Sequence, residues 1–269
     1  MTQSYESTAE SCYDCQAAKM TGISVPDFLQ LFVLEGCYLN EVYRQEKKYF
    51  MTLFEMKKLS GQLDQVMLQD AHNGANGYNI RSLYFDTINE RDYEAKIDGL
   101  ELRRKIRLRI YDPAADFAML EMKQKEGSYQ KKRSLRVSRE DAIELTKGRY
   151  HSLLKYADPF AAECYGLMHM QCYRPKTIVE YKRKAYIAKE NKIRITFDHQ
   201  IQATESCMDL FAPDLNMYPV LDRFNGVLEV KYNGFLLSYI KKLVNEANRS
   251  ELSVSKYCLA RSATMKFAL

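Results

Sequence analysis

Four cationic residues stand at alternate positions in one short segment: Arg103, Lys105, Arg107 and Arg109. On a β-strand alternate side chains share a face, so the four form a row. The opposite face holds Leu102, Ile106, Leu108 and Ile110, with Arg104 as the one misfit. That apolar face needs a core beneath it, which fixes the basic row on a rigid element. Charges two residues apart on a strand are about 6–7 Å apart. Each neighbouring pair then repels by about 2–3 kcal/mol at an effective dielectric of 20. A polyanion, or carboxylates set among the cations, would neutralise the row. The chemistry offered is anion binding, above all of phosphate oxygens, which a guanidinium fork matches. Taken alone, the segment also reads as a solvated strand face.

The alternation recurs along the chain. Residues 44–50 present Arg44, Glu46 and Lys48. Residues 117–125 set Glu121, Lys123 and Lys125 against Ala118, Leu120 and Met122. The odd positions of 129–137 include Lys131 and Arg133. In 177–187 they hold Val179, Tyr181 and Arg183. Arg194, Thr196 and Asp198 oppose Ile193, Ile195 and Phe197, and Glu229 and Lys231 oppose Leu228 and Val230. Strands of this kind suit a closed barrel, polar faces inward and apolar faces outward under helices. The alternative is a sheet with one solvated face. Carboxylates among the cations could hold a divalent metal, which takes oxygen ligands and bridges phosphates.

The elements that must carry these faces follow from periodicity and punctuation. A strand at 44–50 leads into a helix over 52–70, with Leu53, Met56, Leu59, Leu63, Val66 and Met67 near helical spacing. A Gly/Asn-rich loop precedes a strand at 80–87, and a helical turn over 89–98 ends at Gly99. Three strands, 101–111, 116–125 and 129–137, form a meander through short turns. Ser138 caps a mostly helical stretch to 171. Strands return at 177–188, 192–203 and 226–233, and helices at 235–248 and 255–265. The order predicts an α+β fold: a closed antiparallel β-barrel tunnel with a basic lumen, surrounded by helices. Residues 1–40 read as an N-terminal extension, with an amphipathic helix over Phe28–Leu34, and 41–269 as the tunnel domain.

With 269 residues, 46% of them hydrophobic, and a formal charge of +5, the bulk composition does not by itself imply nucleic acid. The basic faces read as inward, without the exposed stacking aromatics that a nucleic-acid groove needs. No window reaches the length of a membrane span, and the first residues lack a signal-peptide pattern. Seven scattered cysteines suit reduced thiols and a cytoplasmic location. Cys12 and Cys15 form a lone CxxC without the second pair that a zinc site needs.

Several short motifs occur in a fixed order: Arg44-x-Glu46-x-Lys48-Tyr49, Ser82-x-Tyr84-Phe85-Asp86-Thr87, Lys105-Ile106-Arg107-x-Arg109-x-Tyr111, Glu121-x-Lys123, Tyr181-x-Arg183-x-Ala185-Tyr186, Arg194-Ile195-Thr196-Phe197-Asp198, Leu228-Glu229-Val230-Lys231 and Ser255-Lys256-Tyr257. Over about residues 41–262 the chain resembles the VTC (vacuolar transporter chaperone) catalytic domain in its bacterial free-standing form. That family belongs to the triphosphate tunnel metalloenzymes, related to CYTH domains. The resemblance implies a metal-dependent polyphosphate polymerase, with ATP and polyphosphate as partners and Mn2+ or Mg2+ as cofactor. It implies catalytic roles for Lys48, Arg107, Arg109, Lys123, Arg183 and Lys256. Lys131, Arg133, Arg194 and Ser255 would bind phosphate or nucleotide, and Glu229 and Glu46 would hold the metal. Arg44 occupies a slot where the CYTH triphosphatases carry a further glutamate, which disfavours hydrolysis. The phosphate-sensing domain and membrane segment of eukaryotic relatives are not in this sequence, so product export would need a membrane-protein partner.

Two other functions remain open on these residues: a tripolyphosphatase or nucleoside triphosphatase using the same tunnel, and a non-catalytic polyphosphate-binding module. Asp198, Glu121 and Lys231 are expected to pair with lumen charges, and Tyr84, Phe85 and Tyr186 to be core or rim aromatics. Arg103 and Lys105 are expected towards the tunnel mouth. Arg107→Ala or Arg109→Ala should abolish synthesis and leave the fold intact or more stable, because like-charge repulsion is relieved.

Overall fold

The computed structural model describes residues 44–127, 129–245, 253 and 255–265. The chain divides into two units, Met1–Tyr43 and Arg44–Leu269, and the described residues fall in the second. The readings placed on residues 1–40, the Phe28–Leu34 helix and the Cys12–Cys15 pair lie outside them.

Ten strands form one antiparallel sheet. In chain order they are β1 (Arg44–Thr52), β2 (Leu68–Gln69), β3 (Tyr78–Asp86), β4 (Arg103–Ile110), β5 (Phe117–Glu126), β6 (Tyr129–Ser138), β7 (Arg174–Ala188), β8 (Ile193–Thr204), β9 (Tyr218–Pro219) and β10 (Asn225–Asn233). The helices are α1 (Leu53–Leu63), α2 (Arg91–Ile97), α3 (Arg139–Thr146), α4 (Pro159–Met170), α5 (Ser238–Asn245) and α6 (Lys256–Met265). Hydrogen-bonded neighbours run β1-β10-β8-β7-β3-β4-β5-β6, while β2 pairs with β7 and β9 with β8.

The sheet is not a closed barrel. Among the described residues no backbone pairing joins β6 to β1. The sheet instead curls until its two halves meet through side chains: Lys123 on β5 reaches Glu46 on β1 at 2.8 Å. Alternation specifies which face is polar but not whether the last strand finds the first, and that gap is what the closed-barrel expectation overlooked.

The outer face carries two apolar clusters. One joins Leu83, Phe85, Ile106, Leu108, Leu120 and Met122 with residues of α3 and α4 such as Leu145 and Cys164. The other joins Met51, Ile195, Phe197, Leu228 and Val230 with Met56, Leu59 and Leu63 of α1 and Ile240 of α5. The helix begun at Leu53 is shorter than the spacing suggested. Thr52 and Glu55 form a reciprocal capping box, but the helix stops at Leu63 and the chain turns into β2.

A third cluster lies on the inner face. Ile80, Tyr84, Val179, Tyr181, Ile201 and Val227 pack against Tyr257, Cys258 and Ala260. Thus α6 enters the concave side of the sheet and closes one end of the curl. Its outer flank is tied down by Arg261, which pairs with Glu90 and, at 2.7 Å, with Glu205. Where β3 begins, Gly77 has φ 82° and lies so close to the Arg183 carbonyl that a Cβ would collide with it.

Candidate phosphate-binding site

Strand registers bring the charged faces together on the concave side. Arg107 lies opposite Glu121 and Tyr84, Arg109 opposite Ser82, and Lys105 opposite Lys123. Lys48 stands opposite Glu229, and Glu229 opposite Thr196. Arg183 stands opposite Asp198. From the floor, α6 adds Lys256, with Ser255 just before it.

The carboxylates act as shared counter-ions. Glu121 is buried (5% exposed) and accepts from Arg107 Nε at 2.8 Å. It also meets Arg109 Nη2 at 3.0 Å and Lys132 Nζ at 2.5 Å. The basic row of β4 is therefore partly neutralised from within. The expectation that deleting Arg107 would relieve repulsion gives way to one in which Arg107 is part of a buried network. Asp198, fully buried, takes both arms of Arg183 (2.6 and 2.7 Å) and Lys256 Nζ (2.5 Å). Glu229 meets Lys231 at 2.8 Å and Arg183 at 3.6 Å. Glu46 meets Lys48 at 2.9 Å as well as Lys123.

Burial would raise the Glu229 and Asp198 carboxyls. Lys231, Lys48, Lys256 and Arg183 nonetheless hold Glu229 well below the usual range, and Arg183 with Lys256 holds Asp198 down. Both stay ionised. Lys105 goes the other way. It donates to Ser255 Oγ at 2.6 Å, and burial pushes its ammonium down to about 7, with Lys48, Lys96 and Lys123 adding repulsion.

Four buried polar atoms on this face have no partner: Arg109 Nε, Arg194 Nε, Ser82 Oγ and Thr196 Oγ1. Burying a donor without a partner costs about 1–3 kcal/mol, a cost that an anion's oxygens would relieve. A cavity of about 430 Å³ is walled by Lys48, Lys105, Lys123, Lys125, Arg103 and Glu46, among others. It offers a lysine-rich path for a chain of phosphates.

The donor set also fits a divalent cation delivered with phosphate. Glu46 and Glu229 are ionised, sit on adjacent strands as diagonal neighbours and face the same space. Among the described residues no three carboxylate, histidine or cysteine side chains form a metal cage. Two carboxylates suffice for a hard cation that keeps water and takes its other oxygens from a substrate.

Of the residues expected to act, Lys48, Arg107, Arg109, Lys123, Arg183, Arg194, Ser255, Lys256, Glu46 and Glu229 come together on the concave side. Arg194 is bonded to Asp70 Oδ2 (2.9 Å) and Tyr78 OH (3.1 Å). Lys131 and Arg133 do not join them. The turn between β5 and β6 pairs Glu126 with Tyr129, so odd positions on β5 face even positions on β6. Arg133 points outward, forks onto Glu163 of α4 and lies over the Phe160 ring at 4.9 Å. Lys131, opposite Gln124, shares that outward side. Lys132 takes the lumen place, and a two-residue turn is the sequence signal that would have shifted the parity. Lys96 and Ser253, which also line the cavity from outside the strands, left no such signal. Tyr84, expected as core or rim, accepts from Arg107 Nη1 at 3.1 Å, and Asp198 and Glu121 pair with lumen cations as expected.

A curled antiparallel sheet with a cation-lined concave face and shared carboxylates defines a polyanion-handling tunnel-type protein. The VTC domain model matches residues 43–265, and the chain belongs to that family of polyphosphate-related enzymes. Among solved structures it is similar to a putative adenylate cyclase from Bacillus halodurans, at 11% identity and TM-score 0.48, over 79% of this chain and 95% of that one. It is also similar to a protein of Pyrococcus horikoshii OT3 (9% identity, TM-score 0.37, 77% and 86% coverage). A conserved hypothetical protein from Pyrococcus furiosus gives 9% identity and TM-score 0.35, with 76% and 87% coverage. None of the curated proteins compared with the chain matches it. No helix among the described residues is long and apolar enough to cross a membrane.

Proposed function

We propose that the protein is a polyphosphate polymerase that transfers the terminal phosphoryl group of ATP to the end of a polyphosphate chain and releases ADP. The observation that carries this reading is the convergence of Lys48, Arg107, Arg109, Lys123, Arg183 and Lys256 on one concave face beside buried, unsatisfied donors. Phosphoryl transfer asks a protein mainly for positioning and charge stabilisation. Arg107 and Arg109 would grip the triphosphate through N–H groups not spent on Glu121. Arg183 and Lys256, held by Asp198, would face the transferred group from the opposite wall, where fixed positive charge stabilises the spread-out negative charge of the transition state. The attacking oxygen belongs to the chain end, or to phosphate at initiation, and the lysine-walled cavity suits the polymer. Already ionised at neutral pH, a phosphate oxygen needs no general base. A divalent metal, Mn2+ or Mg2+, held by Glu229 and Glu46, would neutralise phosphate charge.

The test is a product assay on the purified protein with ATP and manganese. ADP in step with long, acid-insoluble polyphosphate supports the reading. ADP with free phosphate and no polymer replaces it with a triphosphatase, and tight polyphosphate binding without turnover under any divalent metal replaces it with a binding module.

A further inference from the structure

Where β3 begins and β4 ends, three rings gather beside the lumen arginines. Tyr78 and Tyr111 stand with centroids 6.1 Å apart, and His72 and Tyr78 6.2 Å apart, all tilted rather than stacked face to face. Tyr111 lies six residues past Lys105 along the β4 segment, so about 20 Å of strand separates it from the lysine-walled cavity. Each tyrosine is bonded to an arginine of the concave face: Arg194 Nη2 donates to Tyr78 OH at 3.1 Å, and Arg109 Nη1 to Tyr111 OH at 3.4 Å. Both arginines have a buried Nε with no partner.

Two of the rings are open to solvent, while Tyr78 is partly buried and packs against the inner-face cluster around α6. Tyr111 is 48% exposed and the His72 side chain 83%. The loop that presents His72 is nevertheless fixed. Asn73 bonds both the carbonyl (2.8 Å) and the N–H (3.0 Å) of Ala185, Asp70 N–H reaches the same carbonyl (2.9 Å), and Asp70 Oδ1 holds His72 Nδ1 at 2.9 Å. Open π faces on a rigid mount, next to unspent guanidinium donors, match a ligand with an aromatic head and an anionic tail.

We propose that Tyr111, Tyr78 and His72 form the platform for the nucleobase of the triphosphate, which enters base-last and phosphates-first towards Arg109 and Arg194. This rests on the proposed use of ATP and adds which end of the tunnel holds the nucleoside. It leaves the lysine-walled cavity beside α6 to the polymer. Because stacking is sequence-tolerant but grows with ring area, the platform favours purine over pyrimidine.

The test measures binding of the β,γ-imido forms of ATP and UTP, which carry the same charge, and of inorganic tripolyphosphate, which has no base. Wild-type protein is expected to bind the purine analogue several-fold tighter than the pyrimidine one. Tyr111→Ala and His72→Ala should each weaken the purine analogue on the order of tenfold. Tripolyphosphate affinity should stay within about twofold, which also shows that the variants are folded. Tyr111→Phe should keep the wild-type values. Equal purine and pyrimidine affinity, or variants that weaken nucleotide and tripolyphosphate alike, would overturn the platform while leaving triphosphate binding intact. Wild-type protein that binds none of the three ligands would overturn the functional reading and the platform with it.

Discussion

Replacing Glu121 by Gln removes one negative charge from beneath three cations. The carboxylate is buried and meets Arg107 at 2.8 Å, Arg109 at 3.0 Å and Lys132 at 2.5 Å. The Lys132 side chain is about half exposed, so solvent screens its share and it is discounted. The two guanidiniums are largely buried. Hydrogen bonds to charged groups contribute about 1.5–3 kcal/mol each, and removing one partner of a buried ion pair costs about 3–5 kcal/mol. Glutamine keeps an acceptor, which argues for the lower end, about 3 kcal/mol. For a domain of this size each kcal/mol lowers the melting temperature by about 2–4 °C, so a fall of about 6–12 °C is expected. A bound polyanion should supply the missing charge: tripolyphosphate at a hundred times its dissociation constant returns about 2.7 kcal/mol. Thermal melts of wild type and Glu121→Gln, with and without tripolyphosphate, give the answer. A variant that melts at or above the wild-type temperature without ligand would refute the idea that this carboxylate holds the row together.

Other expectations concern protons and metal. Lys105 is depressed to about 7 by burial, so the unfolded chain holds more protons than the folded one from about pH 7 up to the ordinary lysine range. Stability contributed through Lys105 therefore rises with pH across that window. Triphosphate binding near pH 8 should recharge the amine, seen by calorimetry in buffers of different ionisation enthalpy as proton uptake that Lys105→Met abolishes. Asp92, pushed up to about 7 by burial and by Asp86 beside it, binds its proton more tightly folded than unfolded, so stability falls as pH rises from about 4 to 7. Asp92→Asn should melt higher than wild type at pH 8 and no higher at pH 4, and equal melting temperatures at pH 8 would count against this account. Chelating divalent metal should stop turnover, and Glu229→Gln should blunt the manganese response; an unchanged response would remove Glu229 from the metal.

Much of the site was legible because a strand has a strict two-residue period. The alternation in 101–111 and 117–125 placed Arg107, Arg109 and Lys123 on a common face without reference to anything distant. The same rule misled at Lys131 and Arg133, where parity depends on the turn before them rather than on the strand itself. Closure of the sheet was illegible for a deeper reason. It depends on accumulated twist over eight strands, and no local pattern records whether β1 hydrogen-bonds to β6 or merely approaches it through Glu46 and Lys123. The aromatic trio was equally hidden, since His72 comes from a loop whose position is set by Asn73 on Ala185, a contact 112 positions away in sequence.

The insertion of α6 into the concave side has a consequence for how the protein is born. Lys48 lies near the start of the domain, while Lys256 and Ser255 emerge only near its end, and β1 finds its partner only when β10 has been made. At about 5–20 residues per second, on the order of ten to forty seconds separate Lys48 from Lys256 on the ribosome. Through that interval the basic strands exist without their floor or their full set of counter-ions. The binding site is thus a late product of translation, and a nascent chain stalled before α6 would present cations to the cell's polyanions with no enclosed space to select among them.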